Sequence, residues 1–349
     1  MKVEIKIAGK GDASEWDKIV DESPHGTLFH KWKWLRIMEK YSGAKLHCIM
    51  GTKGDELIGL YPIFVKKKFG FGFVFSPPPH LSVLYLGPVI ANYEKMKQSR
   101  KESAFNNLQK EFEGFLSGNL KADYVNIMTP PNLMDSRPYF WNGYNVRLRF
   151  NYLNCISDEN VFWSNMEKKL RQNISRAKRE GVQVETGGPK EMRQIYSAMI
   201  RRYNEQNKRV KVPIEYLLDL QKEFSKNMRI YVALFNGEFV TGVIDLCYKN
   251  KISSWVGNPK SKLTSLNAND LVNWTSIEWG CKNGYKYYET MGAAGNERLH
   301  SYYSKFNPRL SVCYGATKYS SFLSKFFEFA YFRIVKPLEG GGGERVNGN

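Results

Sequence analysis

The sequence predicts a mixed α/β fold built as two related lobes. Three patterns carry that prediction: two similar β-hairpins, a helix ahead of each, and a helix-to-strand unit after each. LHCIMGTKGDELIGLYPIF (Leu46–Phe64) and RIYVALFNGEFVTGVIDLCY (Arg229–Tyr248) both read as strand, tight turn with Gly, strand, and GDELIG aligns with GEFVTG. The repeat spacing of roughly 180 residues is far too long for a solenoid and fits a duplicated domain.

Taken in order, MKVEIKIAGKGD alternates as a strand, and TLFHKWKWLRIMEKYSG has the periodicity of a helix leading into the first hairpin. FSPPPHLSVLYLGP (Phe75–Pro88) reads as a rigid loop followed by a strand, because three prolines preset the chain and remove donors. LQKEFEGFLSGNLKADYVNIM then reads as helix and strand. PIEYLLDLQKEFSKN, ahead of the second hairpin, and VNWTSIEWGCKNGYKYYETM, after it, repeat the order. Each lobe is expected to hold a mixed, largely antiparallel sheet flanked by helices. The first is expected over residues 1–155 and the second over 156–337. Residues 338–349, with the Gly-rich GGGGERVNGN, are expected to be a disordered tail.

The lobes are joined by KKLRQNISRAKREG (Lys168–Gly181), which holds six basic residues in fourteen. Trp163, Met166, Leu170, Ile174 and Ala177 fall on one arc of a helical wheel, and Lys168, Lys169, Arg171, Arg176, Lys178 and Arg179 on the other. Gly181 supplies a C-terminal stop. This is the pattern of an amphipathic helix docked by one face, not of a free basic arm. Arg201, Arg202, Lys208, Arg209 and Lys211 follow, so residues 161–211 hold thirteen basic residues against five acidic ones in a chain of net charge +18. That concentration points to a phosphate-bearing partner. A solvated helix face is the alternative.

Several function classes are disfavoured. The five cysteines are scattered without CxxC or CxH spacing, which argues against a zinc site or disulfide frame and for reduced thiols. With five dispersed histidines, no metal ligand is expected. No apolar run reaches the eighteen or so residues of a membrane span, and the first residues lack the apolar core of a signal peptide. A cytoplasmic location is expected. SSFLSKFFEFAYFRIVKPL, with its five Phe, reads either as a helix packed on the second lobe or as a peripheral membrane contact.

The order WSNMEKKLRQNISRAKREGVQVE, IRRYNEQNKRVKVP, YVALFNGEFVTGVIDL, NANDLVNWTSIEWGCKNGYKYYETMG and YYSKFNP resembles the FemABX-type members of the GNAT acyltransferase superfamily. The resemblance covers residues 160–320 well and 25–130 more weakly. It implies tandem GNAT-like lobes and acyl or aminoacyl transfer to a primary amine. The donor implied is aminoacyl-tRNA, with acyl-CoA or a carrier protein as the alternative. The acceptor implied is an amine that is nucleotide- or lipid-linked in the peptide-bridge enzymes. No tightly bound cofactor is implied. A relative that binds RNA or membrane without catalysis is a third reading.

Within that resemblance, Lys305 of YYSKFNP resembles the lysine that follows an aromatic in the family's near-terminal motif. Framed by Tyr302 and Tyr303, it is a candidate to hold donor phosphate or stabilise an oxyanion. Glu289 of YKYYETMG stands where the family shows Asp before a Gly turn, and is a candidate base. Asn296 and Arg298 of GAAGNERLH could line the same cleft. Arg171, Arg176, Lys178 and Arg201 are candidate phosphate contacts on the basic helices. Asn269 and Asp270 read as N-cap residues, where simple GNAT enzymes present backbone N–H groups to pyrophosphate. SLNANDL, however, departs from the Gly-rich QxxGxG/A form. No GxSxG or Cys–His arrangement is visible, which suits amide formation driven by positioning.

Overall fold

The computed structural model describes residues 2–68, 70–261, 263–292 and 297–320. Two compact units emerge: Met1–Arg149 together with the chain from Val312 on, and Phe150–Ser311. The division differs from two consecutive lobes, because the chain returns to the first unit for its last described strand.

In the first unit β1 (Glu4–Ile7) leads through α1 (Ala13–Glu22) and α2 (Trp32–Ser42) to the hairpin of β2 (Lys45–Lys53) and β3 (Glu56–Lys68). β4 (Phe71–Ser76), the short β5 (Val89–Ile90), α3 (Gln98–Phe115), β6 (Tyr124–Met128) and α4 (Arg137–Trp141) follow. The expected strand after the three prolines shrinks to β5; backbone ring constraints leave residues 77–88 irregular. β4 and β6 are parallel, as a strand pair bridged by a helix should be.

The second unit repeats this plan. β7 (Asn145–Cys155), α5 (Glu159–Asn165) and α6 (Lys168–Arg179) precede β8 (Gln183–Thr186), which is followed by α7 (Pro189–Asn204) and α8 (Ile214–Glu223). Next come β9 (Met228–Phe235), β10 (Glu238–Tyr248), β11 (Lys251–Gly257), α9 (Ala268–Lys282), β12 (Tyr287–Thr290), α10 (Glu297–Tyr303) and β13 (Arg309–Tyr319). The β9–β10 turn is Asn236-Gly237, both at positive φ, the primed turn that matches strand twist. β11 and β12 are parallel, in register from Lys251↔Tyr287 to Ser254↔Thr290.

The strand orders correspond: β1-β2-β3-β4-β6-β13 in one unit and β8-β9-β10-β11-β12-β7 in the other. The first unit's sheet is completed by a strand from outside its own run of sequence. β13, the last described strand, pairs with β6, whereas β7, at the start of the second run, pairs with β12. Sequence order carries no mark of this return.

α6 buries Leu170, Ile174 and Ala177, with Met166 buried and Trp163 packed beside it, so the amphipathic pattern is used as read. α9 differs: Leu271, Val272, Trp274, Ile277 and Gly280 are buried on several sides, making it the central helix of the second unit. Backbone approach is close beneath α7. A Cβ on Gly257, at φ +112, would meet the carbonyl oxygen of Gly242 at 2.8 Å and Ile195 Cγ2 at 3.0 Å. Gly257→Ala is expected to cost about 1–3 kcal/mol in urea-unfolding stability through combined backbone strain and overlap.

Candidate active site

Chemistry-bearing side chains of the second unit gather at the start of α9. Asn267, at positive φ, is the N-cap, and the helix begins at Ala268. This corrects the expectation that Asn269 and Asp270 are the cap; both lie in the first turn. The Asn269 amide nitrogen lies 2.6 Å from Asn258 Oδ1, 3.1 Å from Pro259 O and 3.2 Å from Thr241 Oγ1. Two N–H groups shared among three acceptors tie α9 to the ends of β10 and β11. Asn258 in turn donates to the Tyr303 hydroxyl at 2.8 Å.

Asp270 is 7% exposed and accepts from Asn173 Nδ2 of α6 at 2.9 Å. Burial raises its carboxyl above the ordinary range, opposed by the bonds to Asn173 and Tyr302 and by the charge of Lys305. One turn along α9, Asn273 donates to Asn269 O at 2.8 Å and to the Tyr302 hydroxyl at 3.1 Å. Burial beside Asp270 pushes the Tyr302 phenol well above its usual range, so it stays protonated. Lys305 follows α10 in a short turn, and its carbonyl accepts from Glu167 N at the start of α6, at 3.0 Å. It is half-buried and makes no ion pair among the described residues.

Asn269, Tyr302, Tyr303 and Lys305 are therefore brought to one helix start. Glu289 belongs elsewhere. It is 1% exposed and accepts from Lys251 Nζ at 2.6 Å, Ser253 Oγ at 3.0 Å and Asn151 Nδ2 at 3.1 Å. These partners lie on β7 and β11. Arg176 is paired with Glu180 at 2.6 Å, while Lys178, Arg201 and Arg298 are exposed. Arg171 begins one turn after Glu167, and its Nε is buried without a hydrogen-bond partner. Asn296 and the aromatic segment 321–338 lie outside the described residues.

Asn273, Asn258 and Thr241 escaped the sequence reading, and Asp270 was read only as a cap. Their available signal was the spacing of Asn269, Asp270 and Asn273, which puts three amide or carboxylate groups on adjacent turns. A second polar cluster is deeper. Asp245 of β10 is fully buried, accepts from Ser276 of α9, and is pushed up to about 7 by burial. The thiols offer no activated nucleophile there: burial pushes Cys247 up to about 12. Among the described residues no group of three or more His, Cys, Asp or Glu could hold a metal ion, and no helix is long and apolar enough to cross a membrane.

In the first unit the corresponding strand ends are covered by a loop. Where β4 and β6 end, Leu86 N donates to Met128 O at 2.9 Å, and Gly87 lies so close that a Cβ would meet Thr129 Cα at 3.1 Å. His30 Nε2 sits 3.1 Å from Leu86 O, locking the segment in place.

Comparison with known proteins follows these features. Residues 164–310 match the acetyltransferase (GNAT) domain family. No curated protein matches the sequence. The crystal structure of FemX is similar at TM-score 0.68 and 11% identity, over 90% of this chain and 96% of that one. L-PGS from Bacillus licheniformis is similar at TM-score 0.55 and 15% identity, over 93% and 98%. A tandem GNAT protein from the clavulanic acid biosynthesis pathway gives 0.51 and 9%, over 92% and 99%. At these identities the likeness to solved structures is one of fold.

Two measurements separate structural from chemical carboxylates. Glu289→Ala should cost roughly 3 kcal/mol in denaturant unfolding, because Lys251, Ser253 and Asn151 lose a common acceptor. Asp245 is raised in the folded state, so the unfolded chain ionises first. Its contribution is intact below about pH 4, declines as pH rises, and levels off above about 7. Thermal unfolding of Asp245→Asn between pH 4 and 8 should lack that slope, which amounts to as much as about 4 kcal/mol.

Proposed function

We propose, for a chain whose residues 164–310 match the acetyltransferase (GNAT) domain family and whose fold is like that of FemX, an enzyme that moves an aminoacyl group from aminoacyl-tRNA to a primary amine, closing an amide bond. The observation that carries this reading is Lys305: a half-buried cation without an ion pair among the described residues, beside the hydrogen-bonded start of α9. The amine nitrogen attacks the ester carbonyl carbon. The carbon–oxygen bond to the ribose then breaks, the ribose oxygen takes up a proton, and the nitrogen gives one up. Lys305 is placed in this scheme as the charge that meets the developing oxyanion. No covalent acyl-enzyme is required, since positioning alone can supply about 7–11 kcal/mol.

The donor assignment draws on the basic helices. Lys168, Lys178, Arg201, Lys208 and Arg209 make no ion pairs among the described residues, leaving their charge for a polyanion. The resemblance of the sequence to FemABX-type enzymes favours an aminoacyl donor, and the fold is like that of FemX. A cytoplasmic location follows from that donor, and an acceptor carrying a nucleotide or lipid phosphate agrees with the same charge. The family description as acetyltransferase favours acyl-CoA as a second reading.

Labelled aminoacyl-tRNA and acyl-CoA, each incubated with cell extract and followed by mass spectrometry, separate the two donors. Transfer from tRNA is expected, reduced about 10²–10³-fold in kcat by Lys305→Ala. Transfer from acyl-CoA alone would replace the donor assignment. Equal activity of Lys305→Ala would remove Lys305 from the chemistry.

A further inference from the structure

We propose that the end of α7 and the segment after it form a docking surface for single-stranded RNA, the unpaired 3′ strand of the tRNA donor. One base stacks on Tyr203, and Lys208, Arg209 and Lys211 meet the phosphates. The proposal rests on the tRNA reading given above and assigns it a surface.

The surface is built by the way α7 stops. Tyr203 lies in the last turn, and its carbonyl accepts from both Gln206 N and Lys208 N at 2.9 Å, while Asn207 turns the chain at φ +53. The chain then runs back along the helix. Two turns before Tyr203, the Tyr196 hydroxyl donates to Val212 O at 2.9 Å. Residues 208–211 are thereby held between two anchors on α7.

The side chains of α7 divide by face. Met192, Ile195 and Ala198 are buried. On the adjacent face Tyr196, Ile200 and Tyr203 follow at steps of four and three, and Ile200 is 37% and Tyr203 40% exposed. An exposed tyrosine ring on hydrogen-bonded backbone offers a flat π face, the group on which a base stacks. Beside it Lys208, Arg209 and Lys211 are exposed and make no ion pair among the described residues. Arg201 and Arg202 have a structural use, since in the last turn they oppose the helix dipole, and Arg202 pairs with Glu205 at 2.9 Å. The three later cations lie beyond that turn. Charge alone would suit any polyanion; an exposed aromatic beside the charge selects one that carries planar rings between its phosphates.

α7 also leads to the candidate active site. A Cβ on Gly257 would meet Ile195 Cγ2 at 3.0 Å, and the next residue, Asn258, donates to the Tyr303 hydroxyl at 2.8 Å. Tyr203 is eight residues beyond Ile195 on the same helix, about 12 Å at 1.5 Å per residue. A strand whose 3′ ester lies beside Tyr303 and Lys305 therefore has the end of α7 within reach of its next few nucleotides.

The test uses the full-length protein and the anisotropy of a labelled single-stranded RNA of about ten nucleotides, titrated between about 50 and 200 mM salt. Tyr203→Ala should weaken binding about 10-fold and leave the salt slope in place, because stacking carries no charge; Tyr203→Phe should bind as the wild type does. Lys208→Gln, Arg209→Gln and Lys211→Gln together should weaken binding and make the slope shallower by about 2, at about 0.7 per phosphate. All these side chains are exposed, so Tm should match that of the wild type. Wild-type affinity in Tyr203→Ala, or an unchanged slope in the triple variant, overturns the proposal. Equal binding of a polyglutamate peptide or of anionic vesicles, lost in the same variants, also overturns it and gives the surface to an acidic protein or a lipid. In transfer assays the variants should raise KM for aminoacyl-tRNA and not for an aminoacylated nucleoside, which has no further strand to dock. Transfer from aminoacyl-tRNA at unchanged KM in the variants removes only the α7 surface. Transfer from acyl-CoA alone would end the donor reading and this proposal with it.

Discussion

The amide of Asn269 is the constraint on which the second unit's chemistry depends. Its contacts with Thr241, Asn258 and Pro259 fix where α9 begins relative to the ends of β10 and β11. Everything of chemical interest is measured from that point: Asp270 is the next residue, and Asn273 is one turn on. The glycines at 242 and 257 serve the same end, because they let β10, β11 and α7 approach closely enough for the strand ends to present Asn258 and Thr241. A side chain larger than hydrogen there would move the acceptors before it touched the carboxylate.

Local patterns were legible in the sequence, and non-local pairings were not. The hairpins followed from alternation and from Asn236-Gly237. The docking face of α6 followed from the spacing of Leu170, Ile174 and Ala177. Lys305 was singled out by its resemblance to the family's near-terminal motif and by its aromatic neighbours, which are adjacent in the chain. Glu289 was read as a candidate base, yet its acceptor role is set by Lys251, Ser253 and Asn151, residues brought to it by strand pairing. Asp270 was read as a cap because Asn-Asp ahead of an apolar run is a capping pattern. Its burial depends on Asn173, which lies 97 residues earlier.

The two units share a plan and differ in use. In each, a parallel strand pair is flanked by a helix. The first unit bonds Leu86 to the end of β6 and sets His30 against it. The second binds the start of α9 to Thr241, Asn258 and Pro259. The same strand order thus carries different side chains in the two units.

The returning strand sets a timetable for synthesis. Thr129 N donates to Tyr314 O and Tyr314 N to Thr129 Oγ1, and the two are 185 residues apart in the chain. At translation rates of roughly 5–20 residues per second, the edge of β6 waits roughly 10–40 s for β13 to leave the ribosome. An unpaired edge is a template for wrong partners during that interval. The nascent first unit therefore stays an incomplete sheet until β13 has been made, and the window in which it needs protection is fixed by where that strand is encoded.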